Sequence, residues 1–121
     1  MRKSPCLIML ALAAAFASSL ACAHAVLKSS NPAPGAVLSR APKEIRLSFN
    51  EKIEARVSKV DVTTSNGAKV DTEPVRADTK RSTDLVVNLP ALRPGRYRVQ
   101  WRAISVDTHA IQGNFEFEIK P

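Results

Sequence analysis

Strict alternation of apolar and polar residues is the feature that most constrains the fold of this chain. It runs through residues 44–50, 57–64, 83–89, 97–103 and 114–120. Since successive side chains of a strand point to opposite faces, each run predicts a strand with one buried face. After residue 23 no segment keeps helical periodicity over three turns. The pattern therefore predicts an all-β domain.

Turn residues between these runs favour a sandwich. The strands recur roughly every 10 to 15 residues with Pro, Gly and Asn between them, which is typical of an immunoglobulin-like Greek-key β-sandwich or barrel of about seven strands. Residues 69–79 are weakly patterned, and we interpret them as an edge strand and loop. Tyr97 follows a Pro94-Gly95 turn. It predicts either a tyrosine corner, whose phenol bonds to backbone between the sheets, or a tyrosine that only packs there.

The N-terminal residues have the pattern of a secretory signal. Arg2 and Lys3 precede an apolar run over residues 6–17, and Ala21-Cys22-Ala23 fits the small-x-small cleavage pattern. The run is shorter than the roughly 20 residues of a membrane span. We expect a signal peptide over residues 1–23 and an exported domain over 24–121 with no transmembrane segment. Two alternatives stay open: cleavage after Ala25, which would discard His24, and lipidation of Cys22, although Ser19 stands where such signals usually carry Leu.

Cleavage before His24 would change the chemistry of the mature domain. It would remove both cysteines, so the domain would have no disulfide and would rely on its apolar core. Loss of Arg2 and Lys3 would lower the formal charge from +7 to +5. The remaining bases are scattered along strands, which favours a solvated sheet face and argues against nucleic-acid binding. Contact with an acidic partner or an anionic membrane surface stays open.

The two histidines of the chain, His24 and His109, suggest a metal site. As a first residue, His24 would offer its α-amine and its ring nitrogen together. His109 would add a second imidazole, and Asp107 lies two residues before it, on the same side if the chain is extended there. Nitrogen and oxygen donors in a tetragonal set suit Cu(II). The spacing alone leaves open that His109 is a solvated loop residue and that His24 stands at the cleavage site by chance.

Three blocks of the sequence resemble the CopC family of periplasmic copper-binding proteins. They read HAVLKSSNPAPGAVLSRAP, LSFNEKIEARVSKVDV and GRYRVQWRAISVDTHAIQGNFEFEI, and together they span nearly all of residues 24–121. The resemblance implies a seven-stranded Greek-key β-barrel or sandwich with a tight Cu(II) site. It implies that His24 provides amine and ring nitrogens, that His109 provides a ring nitrogen, and that Asp107 is the nearby carboxylate. Glu51 matches an acidic residue near this site in some members, whereas by itself it is only a charge at a strand end.

The chain departs from the family pattern in one respect. Some members have a second, Cu(I) site in a methionine-rich loop. The corresponding residues here, 63–76, contain no Met, His or Cys, so the soft ligands that Cu(I) prefers are missing. We therefore expect a Cu(II)-only protein with one copper ion per mature chain.

The function that the resemblance implies is periplasmic copper binding. The protein would buffer copper, confer resistance, or deliver Cu(II) to an inner-membrane importer or another copper-resistance protein. One alternative is a copper-dependent oxidative enzyme with a histidine brace, similar to lytic polysaccharide monooxygenases. The few aromatic residues on the inward phase and the carboxylate of Asp107 argue against it, so we expect no enzymatic activity. The other alternative is a metal-free immunoglobulin-like interaction module.

Overall fold

The computed structural model describes residues 25–121, which form two packed four-stranded sheets. The strands are β1 (Leu27–Asn31), β2 (Val37–Leu38), β3 (Glu44–Phe49), β4 (Lys59–Thr64), β5 (Arg76–Ala77), β6 (Asp84–Asn88), β7 (Gly95–Ile104) and β8 (Ala110–Ile119). One sheet has the order β1-β3-β6-β5 and the other β2-β8-β7-β4. The expected all-β sandwich is confirmed. It has eight strands, one more than expected, because β2 and β5 are two-residue edge strands.

The inward faces of the strands form one core, as the alternation predicts. Its most buried members are Ile45, Leu47, Phe49, Val62, Leu85, Val87, Val99, Ala103, Phe117 and Ile119. Two ring contacts join the aromatic residues. Phe49 meets Trp101 of the opposite sheet edge-on at a centroid distance of 5.4 Å, and Tyr97 stacks on Phe117 at 5.4 Å. No helix among residues 25–121 is long and apolar enough to cross a membrane.

The tyrosine corner is confirmed. Tyr97 is buried, and its hydroxyl donates a hydrogen bond of 2.7 Å to the carbonyl oxygen of Arg93. This bond lies where the chain leaves β6 in one sheet and enters β7 in the other. It therefore stabilises the connection between the two sheets.

Strand boundaries differ from the sequence prediction in three places. The run 57–64 pairs only from Lys59, because a 3-10 turn at Ala55–Val57 precedes it and leaves Val57 exposed. Of residues 69–79, only Arg76 and Ala77 pair in a strand, at the edge of the first sheet, apart from an isolated bridge at Lys69. The last strand begins at Ala110, earlier than expected, because its first residues continue the pairing with β7.

The outer face of the first sheet carries a buried patch that alternation does not predict. Val86 and Asp84 are fully or almost fully buried, although the side chain of Val86 lies on the face of β6 that points away from the core. Arg46 lies opposite Val86 in the sheet register and forms ion pairs with Asp84 at 3.0 Å, Glu44 at 3.2 Å and Asp78 at 3.4 Å. These paired side chains therefore shield this part of the outer face from solvent.

Candidate metal centre

The connection between β7 and β8 is a tight loop that holds Asp107 and His109. The main chain of Ser105 closes it, because its N–H donates to His109 O at 2.9 Å and its carbonyl accepts from Thr108 N at 2.8 Å. Thr108 has a φ of 72°, which is uncommon for a β-branched residue. The loop therefore has one defined backbone conformation, in which both candidate ligands lie at the same end of the sandwich.

Asp107 and His109 are in direct contact. Asp107 Oδ2 lies 3.3 Å from His109 Nδ1, and both side chains are about half exposed, at 47% and 49%. The hydroxyl of Ser105 donates a hydrogen bond to Asp107 Oδ1. This bond, together with the neighbouring imidazole, lowers the pKa of Asp107 below its ordinary value of 3.8, although partial desolvation acts in the opposite direction. Asp107 is therefore an anion at neutral pH and is available to a cation.

The predicted signal peptide and His24 lie outside the described residues, but the chain that follows is fixed. Ala25 is buried. Val26 N–H donates to Asn50 Oδ1 at 2.7 Å, and Val26 O accepts from Asn50 N at 3.1 Å. The start of the domain is thus bound to the connection between β3 and β4.

The same connection also binds the β7–β8 loop. Val106 N donates to Lys52 O at 3.1 Å, and Glu54 N donates to Ile104 O at 2.8 Å. Ile53 forms an isolated antiparallel bridge with Ser105. Residues 50–54 therefore join the N-terminal residues to the loop that carries Asp107 and His109.

Glu51 lies within this joining segment and has an unusual environment. Its Oε2 atom is buried and has no hydrogen-bond partner among the described residues. An unmatched buried acceptor is unfavourable, so a donor from outside residues 25–121 or a bound cation would stabilise it.

The structure brings together only part of the predicted ligand set. Within residues 25–121 no three His, Cys, Asp or Glu side chains form a group that would hold a metal ion. Asp107 and His109 form a pair, Glu51 belongs to the segment that joins them to the N-terminal residues, and His24 is not described. The assignment of His24, Asp107 and His109 as ligands therefore stays a prediction.

Sequence reasoning missed two residues that organise this end of the molecule. Ser105 is the first residue of the Ser-x-Asp-x-His pattern, and its two-residue spacing from Asp107 was a signal for a side chain that could bond the carboxylate. Asn50 gave no comparable signal, because its partner Val26 is 24 residues away in the sequence.

Comparison with known proteins identifies the family. The family model described as the CopC domain matches residues 27–120. Copper resistance protein C of Pseudomonas syringae pv. tomato is 38% identical over 109 residues, which cover 85% of this chain and 86% of that protein. The crystal structure of PcoC, described as a methionine-rich copper resistance protein from Escherichia coli, matches with a TM-score of 0.73 at 34% identity, covering 81% of this chain and all of that one.

The copper transport protein CutJ of Bacillus subtilis is a larger relative. It is 31% identical over 120 residues, which are 98% of this chain but only 22% of CutJ. Together the family model, the relatives and the shared β-sandwich show that this chain belongs to the CopC family. This family contains copper resistance and copper transport proteins.

Proposed function

We propose that this chain is a periplasmic Cu(II)-binding protein that buffers copper or passes it to an inner-membrane importer or another copper-resistance protein. One observation carries the proposal. Asp107 and His109 are held 3.3 Å apart at the end of the sandwich to which Asn50 binds the N-terminal residues. Membership of the CopC family supports copper as the ion, and the names of its relatives support a role in resistance or transport.

The proposed site takes its nitrogen ligands from two regions, the N-terminus of the mature chain and the β7–β8 loop. Cleavage after Ala23 would make His24 the first residue, with its α-amine and ring nitrogen as two ligands, and His109 would supply the third. Consecutive Cα atoms are about 3.8 Å apart, so the two peptide units between His24 and Val26 can span no more than about 7.6 Å. The anchoring of Val26 by Asn50 thus limits how far His24 can be from the loop.

Asp107 would complete the set with a carboxylate oxygen. Donors at about 2 Å from a metal and at right angles to each other are about 2.8 Å apart. The 3.3 Å between Asp107 Oδ2 and His109 Nδ1 is near that value. Small adjustments of two half-exposed side chains would bring both groups to one ion.

Glu51 would stabilise the site without being one of its principal ligands. Its buried Oε2 lacks a partner among residues 25–121. In the proposed site it accepts a hydrogen bond from a copper-ligating group, such as the α-amine of His24 or a bound water. This contact would satisfy the buried acceptor and orient the ligand.

The ligand atoms that this domain offers favour Cu(II) over Cu(I). Both methionines and both cysteines precede residue 24 of the chain, so the domain over residues 25–121 has no sulfur ligand. The relative PcoC, by contrast, is described as methionine-rich. We propose one Cu(II) per mature chain and no separate Cu(I) site.

A one-residue extension of the N-terminus tests the proposal. The mature chain that begins at His24 is compared with the same chain carrying one Gly before His24. We expect the first to bind one Cu(II) with a tetragonal, nitrogen-dominated EPR spectrum and the second to bind about 100-fold more weakly, because its α-amine has moved. The thermal stability of the two metal-free proteins should be equal. Equal copper affinity would exclude the N-terminal site, and no copper binding by either chain would favour an interaction module.

The proposal describes a binding protein and not an enzyme. The expectation that the aromatic residues after residue 24 lie in the core is confirmed: Phe49, Tyr97, Trp101, Phe115 and Phe117 are all buried. A broad polysaccharide-binding face with exposed aromatic rings is therefore missing from residues 25–121. Oxygen-dependent cleavage of a polysaccharide by the copper-loaded protein would contradict this part of the proposal.

A further inference from the structure

We infer that Ser105 is a positioning residue that sets the geometry of the Cu(II) site, an inference that rests on the proposed function. Ser105 is 1% exposed, whereas Asp107 and His109 are about half exposed. Packing therefore restricts Ser105 strongly and restricts the two candidate ligands much less. A contact from a buried, fixed group is what limits the orientation of an exposed ligand.

The single hydroxyl of Ser105 contacts both ligand residues. It donates its proton to Asp107 Oδ1 and accepts a hydrogen bond of 3.2 Å from the main-chain N–H of His109. The carbonyl oxygen of His109 is farther away, at 3.3 Å, so the one available proton goes to the carboxylate. With Oδ1 held in this way, Oδ2 is the oxygen that faces His109 Nδ1.

The backbone of Ser105 has a separate role. Its N–H donates to His109 O, and its carbonyl accepts from Thr108 N. Ser105 also bridges to Ile53 in the neighbouring connection. Replacing Ser105 with Ala would keep all of these main-chain bonds, so the loop should retain its course while Asp107 and the His109 amide lose their shared partner.

Ser58 offers a matched control at the same end of the sandwich. It is 6% exposed, and its hydroxyl also donates one bond and accepts one bond. The partners are Glu54 O at 2.7 Å and Ile104 N at 3.0 Å, both main-chain atoms. S58A therefore removes a buried hydroxyl of the same kind that contacts neither Asp107 nor His109.

The experiment compares the mature wild type with S105A, S105T and S58A. Cu(II) affinity is measured by competition with a chelator, and the ligand geometry by the EPR hyperfine coupling. We expect S105A to bind Cu(II) about 10- to 100-fold more weakly with an altered EPR spectrum. S58A should keep the affinity and spectrum of the wild type although its melting temperature falls. Recovery of both properties in S105T, which restores the hydroxyl, would support the positioning role.

Wild-type affinity and spectrum in S105A would overturn the inference, as would equal losses of affinity in S105A and S58A. If the extra methyl group prevents S105T from folding, the comparison of S105A with S58A decides the question. A metal-free measurement separates this inference from the proposed function. Amide hydrogen exchange of His109 should be faster in S105A than in the wild type and unchanged in S58A, whether or not copper binds. Unchanged exchange in S105A would overturn the positioning role.

Discussion

Gly113 is a residue whose role depends on a close approach between two strands. It lies opposite Trp101 in the β7–β8 register, and a Cβ atom added at this position would be 2.6 Å from Trp101 Cζ2. The indole ring thus occupies the space that a side chain at position 113 would need. Because Trp101 also packs edge-on against Phe49, the ring has little freedom to move away.

We predict that G113A destabilises the protein by about 1–3 kcal/mol, the usual cost of overpacking a core. Without the clash, replacing Gly by Ala within a strand would stabilise the protein by about 0.5–1 kcal/mol. The sign of the change in unfolding free energy therefore shows whether a side chain at position 113 clashes with Trp101. Urea denaturation of G113A and wild type measures the difference in unfolding free energy. The exposed neighbour provides a control, since Q112A should change stability by less than about 0.5 kcal/mol. A G113A variant as stable as the wild type would contradict the close packing of Trp101.

Among the structural elements, the connection between β3 and β4 does most to organise the candidate site. Its first residue, Asn50, bonds Val26 through both its side chain and its main chain. Lys52 and Glu54, further along, bond the main chain at Val106 and Ile104. The element therefore sets the distance between the start of the domain and the loop of Asp107 and His109.

We predict that N50A weakens Cu(II) binding by up to about tenfold while the fold persists. The substitution removes the acceptor of Val26 N–H, a bond with a net contribution of about 0.5–1.5 kcal/mol, and each 1.4 kcal/mol corresponds to a factor of ten. The main-chain bond from Asn50 N to Val26 O remains possible. Chelator competition measures the affinity.

N66A serves as the control, because Asn66 Oδ1 also accepts from a main-chain N–H, that of Ala68, but in the turn after β4. Equal Cu(II) affinity of N50A and N66A would show that the hydrogen bond between Val26 and Asn50 does not position the N-terminus.

The tyrosine corner provides a prediction for the other end of β7. Y97F removes the hydrogen bond to Arg93 O and leaves the stacking on Phe117. We expect a loss of about 0.5–1.5 kcal/mol in unfolding free energy, measured by urea denaturation, with no change in Cu(II) affinity. Wild-type stability would mean that water replaces the bond without cost, and weaker copper binding would show that the two ends of β7 are coupled.

For the whole molecule, the paired charges around Arg46 lead us to predict that acid unfolding is separate from copper release. The hydrogen bond to Asp84 raises the pKa of Arg46, which stays charged while it pairs with its three carboxylates. Partial burial acts to raise the pKa of Asp78, but hydrogen bonds from the main-chain N–H groups of Lys80 and Arg81 and the charge of Arg46 lower it below 3.8. A carboxyl with a lowered pKa stabilises the fold above its unfolded pKa, and this stabilisation is lost as the pH falls through the folded pKa.

We predict two separate acid transitions. Metal ligands must be deprotonated to bind, so copper should be released in mildly acidic solution, whereas loss of the Asp78 contribution requires a pH below about 4. Between these two transitions the protein should be folded and metal-free. EPR measures copper release and circular dichroism measures the fold in the same titration. In D78N, stability should depend less on pH below about 4, with copper release unchanged. Coincident release and unfolding would contradict the separation.

Much of the fold was predictable because the signals for it are local. The alternating runs predicted β3, β6 and β7 to within a few residues, since the two-residue side-chain period follows from strand geometry. The Pro-Gly turn before Tyr97 indicated a corner as one of two possibilities, and the hydrogen bond to Arg93 O selects it. The buried outward face of β6 was not predictable, because it depends on Arg46 of β3, which lies opposite Val86 and pairs with carboxylates distant in the sequence.

The candidate site was predictable as a set of residue types and only partly as a geometry. Asp107 and His109 are near each other in sequence, so their contact follows from a short loop. Glu51 and His109 come from different connections, and no local pattern says how deeply Glu51 Oε2 is buried. His24 as a ligand stays a prediction, as does the cleavage that would expose its α-amine.

The sequence by itself determined the all-β class, the core faces and the chemistry available for a copper site, because composition and side-chain period are properties of the chain. Only the tertiary structure decided that Asn50 binds Val26, that Ser105 contacts both Asp107 and His109, and that Gly113 makes room for Trp101. The first and last of these depend on which segments become neighbours. The contact at Ser105 depends on the conformation of the β7–β8 loop, in which Thr108 takes a left-handed backbone conformation that the sequence pattern does not indicate.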